Sequence, residues 1–518
     1  KWNLDENNNK GVYFNTGNET YSLLQCKNDA VYGYDIKTGS SIPLINWDVR
    51  GINSVIWRYA IAYSNKYIYS LTRNSDDTIS LIKLVVTENE DMLSTKKIVT
   101  VANLGISGEM KRAINKFNNT NQKYQIKLIS YTDDEGFIND NDIAKFNMDI
   151  AAGNIPDVSL FGSFAPPLDS YSSKGLFADL YMFMDNDPNF DRKDYLQNVF
   201  TGLETDGKLF ICATSFTIDT LIGKTSDVGE KMGWTWDEYC TLIDKQPNGT
   251  IPFADSKQPI PKQRFISVML YSKINDYVDF KNGTCDFINS DFQNLMEMVN
   301  DFEQERIDYV NASDFGNGNP LLMRVNVNDF YGLKLWESSY FGDEITFIGY
   351  PDNSDGIGAY GKAKNTFAIS AKAKESDGAW EFAKYLLTDY QENSGFNQKH
   401  SLDEQVHYFF PGFPIKKSTI LRLAEESMKG QYSPGVHATG FSRVGDSYDI
   451  VQLEFNTVED NNKIFDIIYS ITDFTDYDTA INNIVTEEFE YYILGEKSAK
   501  EVAEIIQNRV SVYLNEVS

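Results

Sequence analysis

Histidine is nearly missing from this sequence: His400, His407 and His437 are the only three in 518 residues. None sits in an H-E-x-x-H, G-x-S-x-G or P-loop setting, so the usual residues of zinc proteolysis, serine hydrolysis and nucleotide hydrolysis are not in place. Cysteine is almost as scarce. Cys26, Cys212, Cys240 and Cys285 show no CxxC spacing, which leaves a zinc cluster or redox motif unsupported. Four scattered thiols do not make a disulfide scaffold, although one bridge stays open. No run of 18 apolar residues occurs, so no transmembrane helix is expected. No signal peptide is legible either: Lys1 to Lys10 is polar and Asn-rich, and the chain is expected to start after a processed or trimmed segment. Leu23-Leu24-Gln25-Cys26 is spelled like a lipidation box, but polar residues from Asn15 to Tyr21 precede it, and it reads as the end of a strand. Basic residues are outnumbered 47 to 75, a net charge of −28. Such a surface repels nucleic acid and anionic lipid, and neither is expected as a partner.

What is abundant is apolar and aromatic. Hydrophobic residues make up 42% and aromatics 14%, with 31 Tyr and 33 Phe, enough for a large core and for amphipathic rings that face a ligand. At about 100–200 residues per domain, the length suggests roughly three domains. The style of the chain changes near residue 95. Before it, Tyr32-Gly33-Tyr34-Asp35 runs into Lys37-Thr38-Gly39, and Tyr67 to Leu71 is followed by a polar turn and Ile79 to Leu84. Strand, turn, strand at this spacing predicts antiparallel β structure. The pattern is similar to β-propeller blades, with length for roughly two at about 40–45 residues each. A closed propeller typically needs 4–8 blades, so residues 1–95 read either as a truncated propeller or as a small β-module beside the next domain.

From residue 96 the pattern alternates. Ile98 to Ala102 reads as a buried strand. Met110, Ala113, Ile114 and Phe117 form one apolar helix face, Gln125 to Tyr131 a second strand, Asp142 to Ala152 a second helix, and Asp157 to Phe161 a third strand. This βαβαβ order predicts a parallel sheet whose strand C-termini carry the ligand-contacting loops. Thr235 before Trp236-Asp237-Glu238, and Ser498 with Glu501, read as helix caps.

These segments resemble a known family. The stretch Ile98 to Tyr131, the run Asp149-Ile150-Ala151-Ala152-Gly153-Asn154-Ile155-Pro156-Asp157, and Tyr171 to Leu180 look like the first lobe of sugar-type extracellular solute-binding proteins, the relatives of maltose-binding protein. Gly233 to Ile243, the Gly-rich loop and return strand from Thr346 to Ser370, the helix from Gly378, Phe413 to Ile420, and the C-terminal helices continue it in order. The resemblance implies an α/β, two-lobed periplasmic-binding-protein-like fold of class II. Lobe one would span about 96–215 plus a later return segment and lobe two about 220–390, with C-terminal helices to 518 behind the small all-β segment. It implies binding of a carbohydrate, expected to be an oligosaccharide, by hinge closure, and delivery to the permease of an ABC importer. The protein would be an extracellular monomer, tethered by a lipid anchor on a segment that this chain does not include, with no cofactor and no catalysis. A non-sugar solute such as a peptide, and a surface enzyme acting on polysaccharide, stay open as alternatives.

A sugar presents C–H faces to aromatic rings and hydroxyl rims to polar side chains. The candidate ligand residues are therefore Ser107 and Glu109 after the first strand, and Phe161 and Phe164 after the third. Phe216 and Asp219 lie at the crossover. Trp336 and Glu337 come from lobe two, and Tyr350, Tyr360 and Asn365 flank the Gly-rich loop. Trp336 is the leading stacking candidate, while Trp234, Trp236 and Trp380 read as packing residues. A neutral ligand is expected, since the overall charge disfavours anions. Acidic clusters at 133–142 and 185–191 contain no EF-hand pattern and read as solvated loops, with no metal expected.

Overall fold

The computed structural model describes residues 13–517 except 18–20, 27–29, 47–59, 65–66, 74–78, 86–95, 133–137, 163–170, 172–173, 248, 256–257, 260, 272–273, 281, 302–311, 352–356, 389, 391–411, 430–438, 445–446, 453 and 475–478. Among the described residues its N-terminal part is all β, as the alternating pattern predicts. Strands β1 (Tyr13–Thr16), β2 (Leu23–Cys26), β3 (Ala30–Asp35) and β4 (Ser40–Asn46) form an antiparallel meander. Strands β5 (Ala60–Ser64), β6 (Tyr67–Arg73) and β7 (Ile79–Val85) form a second, three-stranded sheet. The β3–β4 turn shows why Asp35 and Gly39 are spaced as they are. The Asp35 carboxylate accepts the Lys37 N–H at 2.8 Å, and Gly39, at φ +69°, donates its N–H back to the Asp35 carbonyl. Glycine adopts that left-handed conformation without steric cost.

The rest is organised by one ten-stranded sheet. Its first part is parallel: β8 (Lys97–Leu104) lies between β9 (Tyr124–Ser130) and β10 (Val158–Phe161). The long strand β11 (Cys212–Lys224) follows, then β12 (Phe253–Asp255) and β13 (Gln258–Pro259). A separate ribbon of β14 (Val278–Asp279) and β15 (Thr284–Cys285) comes next, then β16 (Leu322–Val327), β17 (Ile345–Phe347) and the long β18 (Tyr360–Ile369). The short strand β19 (Phe413–Pro414) joins β11, and β20 (Thr439–Val444) with β21 (Ser447–Gln452) forms a hairpin. The strand order is β13-β12-β16-β11-β18-β10-β8-β9, with β17 and β19 also on β11. Strands β11 and β18 thus run antiparallel from one lobe into the other. At one end β18 pairs β10, and at the other β11 pairs β16 and β17.

The two sheet faces are buried differently. Phe216, Ile218 and Ile222 of β11, Phe367 and Ile369 of β18, Val99 and Val101 of β8, and Met323 and Val325 of β16 share one apolar cluster, which runs behind both lobes. The opposite face is divided. In lobe one it carries Ala102, Leu104, Phe161, Ile211 and Ala368 against Phe146 and Phe177. In lobe two it carries Leu221, Leu322 and Tyr360 against helices Lys262–Tyr271 and Ala499–Val517. The C-terminal helix is held there by Gln507, which accepts the Phe287 N–H and donates to the Cys285 carbonyl at 2.7 and 2.8 Å. The helix starts carry the expected caps: Thr235 with Glu238, and Ser498 with Glu501.

The acidic clusters serve structure wherever they fall among the described residues. Asn139 and Asp142 close a capping box on helix Asp140–Ala151. Asp191 caps a short helical turn, and Asp185 pairs with Arg192 at 2.9 Å. No metal-holding group of His, Cys, Asp or Glu occurs among the described residues, and Cys212, Cys240 and Cys285 are free thiols. Asp187 accepts from Trp380 Nε1 at 2.9 Å and Lys384 Nζ at 2.8 Å, tying its loop to helix Ser376–Leu387. Burial opposes ionisation of Asp187. The hydrogen bonds from Lys384, the Asn189 N–H and Trp380 outweigh it and bring the carboxyl down to about 2. A carboxyl depressed on folding stabilises the fold above its ordinary range and ceases to as pH falls through its folded value. Asp187→Asn should therefore cost about 2 kcal/mol near pH 6, by the same linkage. That cost should shrink between pH 4 and 2 in urea unfolding measured across this range.

Candidate ligand cleft

Between its two apolar halves, the divided face of the crossover sheet is polar. Register places Ser215 opposite Lys364, Thr217 opposite Lys362, and Asp219 opposite both Tyr360 and Asn326. Side chains directly opposite one another share a face, so these residues make one strip across the sheet, continued by Arg324 at the lobe-two end. The strand ends converge on it. Lobe one's β8 and β10 end at Leu104 and Phe161, and Phe161 is paired to Thr366. Lobe two's β12, β16 and β17 end at Asp255, Val327 and Phe347, with Val327 paired to Ile218. The carboxyl ends of strands from both lobes therefore border the strip, the usual place for a ligand in α/β sheets.

Asp219 is the strip's best-anchored group. It is 3% exposed. It accepts Arg324 Nε and Nη2 at 3.0 and 2.7 Å, the Tyr350 hydroxyl at 2.5 Å and Lys362 Nζ at 2.8 Å. Burial penalises the carboxylate, but the charges of Arg324 and Lys362 hold it below the usual range. Arg324 also approaches Asp255 at 4.0 Å, and Asp255 pairs with Arg264 at 3.1 Å. Asn326, exposed at the end of β16, donates to Thr217 Oγ1 at 3.0 Å.

The Gly-rich loop aims Tyr350 at this group. Gly349 and Gly358 have φ of +84° and +59°, and a Cβ on either would collide with a carbonyl across the loop, that of Ile357 or of Tyr350. The Tyr350 N–H bonds the Gly358 carbonyl at 2.7 Å, and Trp234 Nε1 bonds the Gly349 carbonyl at 2.9 Å. Only glycine allows so close an approach with a left-handed backbone. The Tyr350 ring then stacks on Tyr360, with centroids 5.9 Å apart. Asn365 interrupts β18 at φ +49°, between Lys364 and Thr366. A left-handed non-glycine residue inside a strand costs on the order of 1–3 kcal/mol and tends to occur at functional sites. Here it falls where the strand passes between lobes.

The candidate residues are therefore not all brought together. Asp219, Tyr350 and Tyr360 meet at the strip, and Asn365 lies on the strand that carries it. Ser107 caps helix Gly108–Thr120 by accepting the Met110 N–H, and Glu109 pairs with Arg112 at 2.6 Å, both just beyond the carboxyl end of β8. Phe161 is buried in the lobe-one core, and Phe164 lies outside the described residues. Phe216 points to the opposite face, against Phe413 and Phe474. Trp336 is 8% exposed in that same rear cluster, edge-on to Phe347 and over Gly332. Glu337 pairs with Lys334 at 3.2 Å beside the helix Val458–Ser470. This placement makes Phe216 and Trp336 packing residues, because both are directed behind the sheet. The polar residues of the strip that the sequence reading did not name are Arg324, Asn326, Lys362 and Lys364; Tyr331 is half-buried four positions beyond β16 and has its N–H held by the Asp329 carboxylate at 2.7 Å. Alternating Lys362 and Lys364 in a strand otherwise rich in small and apolar residues is the signal that would have found two of them. Trp336→Ala should cost about 3–5 kcal/mol of stability, as truncation of a buried Trp does, with a large drop in Tm by differential scanning calorimetry.

The family model described as bacterial extracellular solute-binding protein matches residues 112–398, more than half of the chain. No curated protein matches the sequence. Among solved structures, the fold is similar to a periplasmic oligogalacturonide-binding protein from Yersinia enterocolitica (14% identity, TM-score 0.51, covering 81% of this chain and 100% of that one). It is also similar to the sugar-binding protein MalE from Xanthomonas citri (13%, 0.51, 81% and 98%), and to a structure described as a de novo designed cysteine esterase (14%, 0.52, 82% and 99%). At these identities the structural likeness speaks to fold alone, and it agrees with two lobes joined by crossover strands. By the match to its family model, the chain belongs to the bacterial extracellular solute-binding proteins.

Proposed function

We propose that the solute is a carbohydrate, bound between the lobes without being turned over and passed as the closed complex to the permease of an ABC importer. The observation that carries this reading is the polar strip across the crossover strands, bordered by strand C-termini from both lobes. It offers exposed Asn326 and half-buried Lys362 beside the rigidly held Asp219, the mixture of donors and acceptors that hydroxyl rims require. Tyr331, half-buried four positions beyond β16, is our candidate for the ring that stacks on a sugar face. The sugar-binding proteins of similar fold are consistent with this choice. A ligand touching both lobes favours the closed arrangement by its extra contacts there. The protein would work as a monomer on the outside of the cell, tethered by a lipid anchor on a segment beyond this chain.

A panel of oligosaccharides tested by thermal shift should contain at least one that raises Tm, and at a hundredfold excess over Kd the stabilisation amounts to about 2.7 kcal/mol. Chromatography should return that sugar intact, and solution scattering should show compaction on its addition. Tyr331→Ala should weaken its binding by roughly 5- to 150-fold, the equivalent of about 1–3 kcal/mol for a stacked ring. A panel without a single shift, or a sugar recovered as shorter products, would remove this reading.

The β-module of residues 1–95 is proposed to be separate from the binding unit of residues 96–518. Deleting residues 1–95 should leave a folded protein with unchanged affinity for the identified sugar, measured by calorimetry. Loss of binding on deletion would place part of the site in the module.

A further inference from the structure

The charge on the cleft floor runs against the charge of the whole molecule. Within a chain of net charge −28, the strip gathers Arg324, Lys362 and Lys364 around one carboxylate, Asp219. Asp219 is already shared by Arg324 and Lys362, and Asp255 is shared between Arg324 and Arg264. That leaves Lys364. It is half-buried, two positions along β18 from Lys362 and therefore on the same face. Among the described residues the Lys364 ammonium has neither an acidic partner nor a hydrogen bond. Directly opposite it, the Ser215 hydroxyl is buried and has no hydrogen-bond partner. Burial and the neighbouring charge of Lys362 both depress the Lys364 ammonium below the usual lysine range. A half-buried cation beside a second cation, with an unused hydroxyl across the strand, is costly until an anion arrives.

We infer that Lys364, with Lys362 beside it and Ser215 opposite, forms a subsite for a negatively charged substituent of the bound saccharide, a uronate carboxylate or a sulfate ester. The inference rests on the carbohydrate reading above and narrows it to acidic sugars. Lysine acts as a point charge and does not select between the two anions by geometry, so the distinction belongs to the ligand series. The strip is central on the floor, so an anion seated there lies within reach of loops from both lobes, and its charge would help draw them together.

The test is calorimetric titration of the full chain with four probes. They are an oligogalacturonate, its fully methyl-esterified neutral counterpart, a sulfated galacto-oligosaccharide and its unsulfated counterpart. At least one anionic probe should bind tenfold or more tightly than its neutral twin, with affinity falling as salt is raised. Whichever acid wins identifies the anion. Lys364→Met should remove most of that preference, and Lys364→Arg should keep it, with folding of both followed by circular dichroism. Equal binding of acid and neutral twin by the wild-type chain overturns the inference, as does a preference that survives in Lys364→Met. If Lys364→Met does not fold, the wild-type ratio and the Lys364→Arg ratio still decide. Neutral probes bound with acidic probes rejected would defeat the acidic subsite and leave the carbohydrate reading standing. No binding by any of the four, alongside no shift across the wider panel, would defeat both.

Discussion

A carboxylate cannot be shut away from water in the middle of a sheet unless its charge is met, and the joint between the lobes is built around one that is. Asp219 takes hydrogen bonds from Arg324 on β16, from Lys362 on β18, and from Tyr350 at the end of the Gly-rich loop. Removing any one partner would leave part of a buried charge unmatched, which is far more damaging than the modest net value of an intact buried pair. The arrangement therefore specifies more than it stabilises. It sets where β11, β16 and β18 lie relative to one another and which way the loop turns. Lobe one has a counterpart in Asp157, whose carboxylate accepts Thr100 N–H and Oγ1–H and the N–H groups of Lys374 and Glu375. There the donors are neutral, and the bonds fasten β8 to β10 and to the approach to helix Ser376–Leu387.

The asymmetry between the two sheet faces follows from what each has to do. The rear face is one continuous apolar layer behind both lobes. The front face is apolar only where each lobe packs its own helices and polar in between. A strand that crosses from one lobe to the other must satisfy both conditions along its length. In β11 the alternation takes the form of Phe216, Ile218 and Ile222 behind, with Ser215, Thr217 and Asp219 in front. The left-handed Asn365 sits on the partner strand at the boundary, where β18 leaves β10 for lobe two.

That double burial explains what was legible in the sequence. The helices of lobe one are readable because each has one apolar face at a short-range period, and its strands β8 and β10 because each is a short, nearly continuous apolar run bounded by turn residues. Met110, Ala113, Ile114 and Phe117 all lie in the core of that lobe. The caps at Thr235 and Ser498 were readable because three positions suffice to define them. The faces of β11 were not, since every residue from Cys212 to Gly223 is buried and a run with both sides covered does not reveal which side is the cleft. The aromatic character of Phe216 and Trp336 suggests stacking on a ligand, yet face and register, which depend on pairing with strands distant in sequence, set both behind the sheet. The polar pair Lys362 and Lys364 was visible in principle, but its meaning depends on Asp219 and Ser215 lying opposite, a fact that only the paired strands supply.

The return of β18 also bears on how the chain acquires its structure as it is made. β10 needs Thr366 to Ile369 as its second neighbour, and those residues emerge only after the lobe-two strands β11, β12, β16 and β17 have been synthesised. The helix Ser376–Leu387, whose Phe382 and Tyr385 pack against Phe117, follows later still. Lobe one, although it begins first, therefore cannot close its sheet or cover its first helix until the strands of lobe two are out. Pairings of such long sequence separation are slow to form, and meanwhile β10 presents an open edge to other chains. A half-built lobe therefore has to be kept from other chains for the time needed to make β11 to β18, a requirement written into the strand order itself.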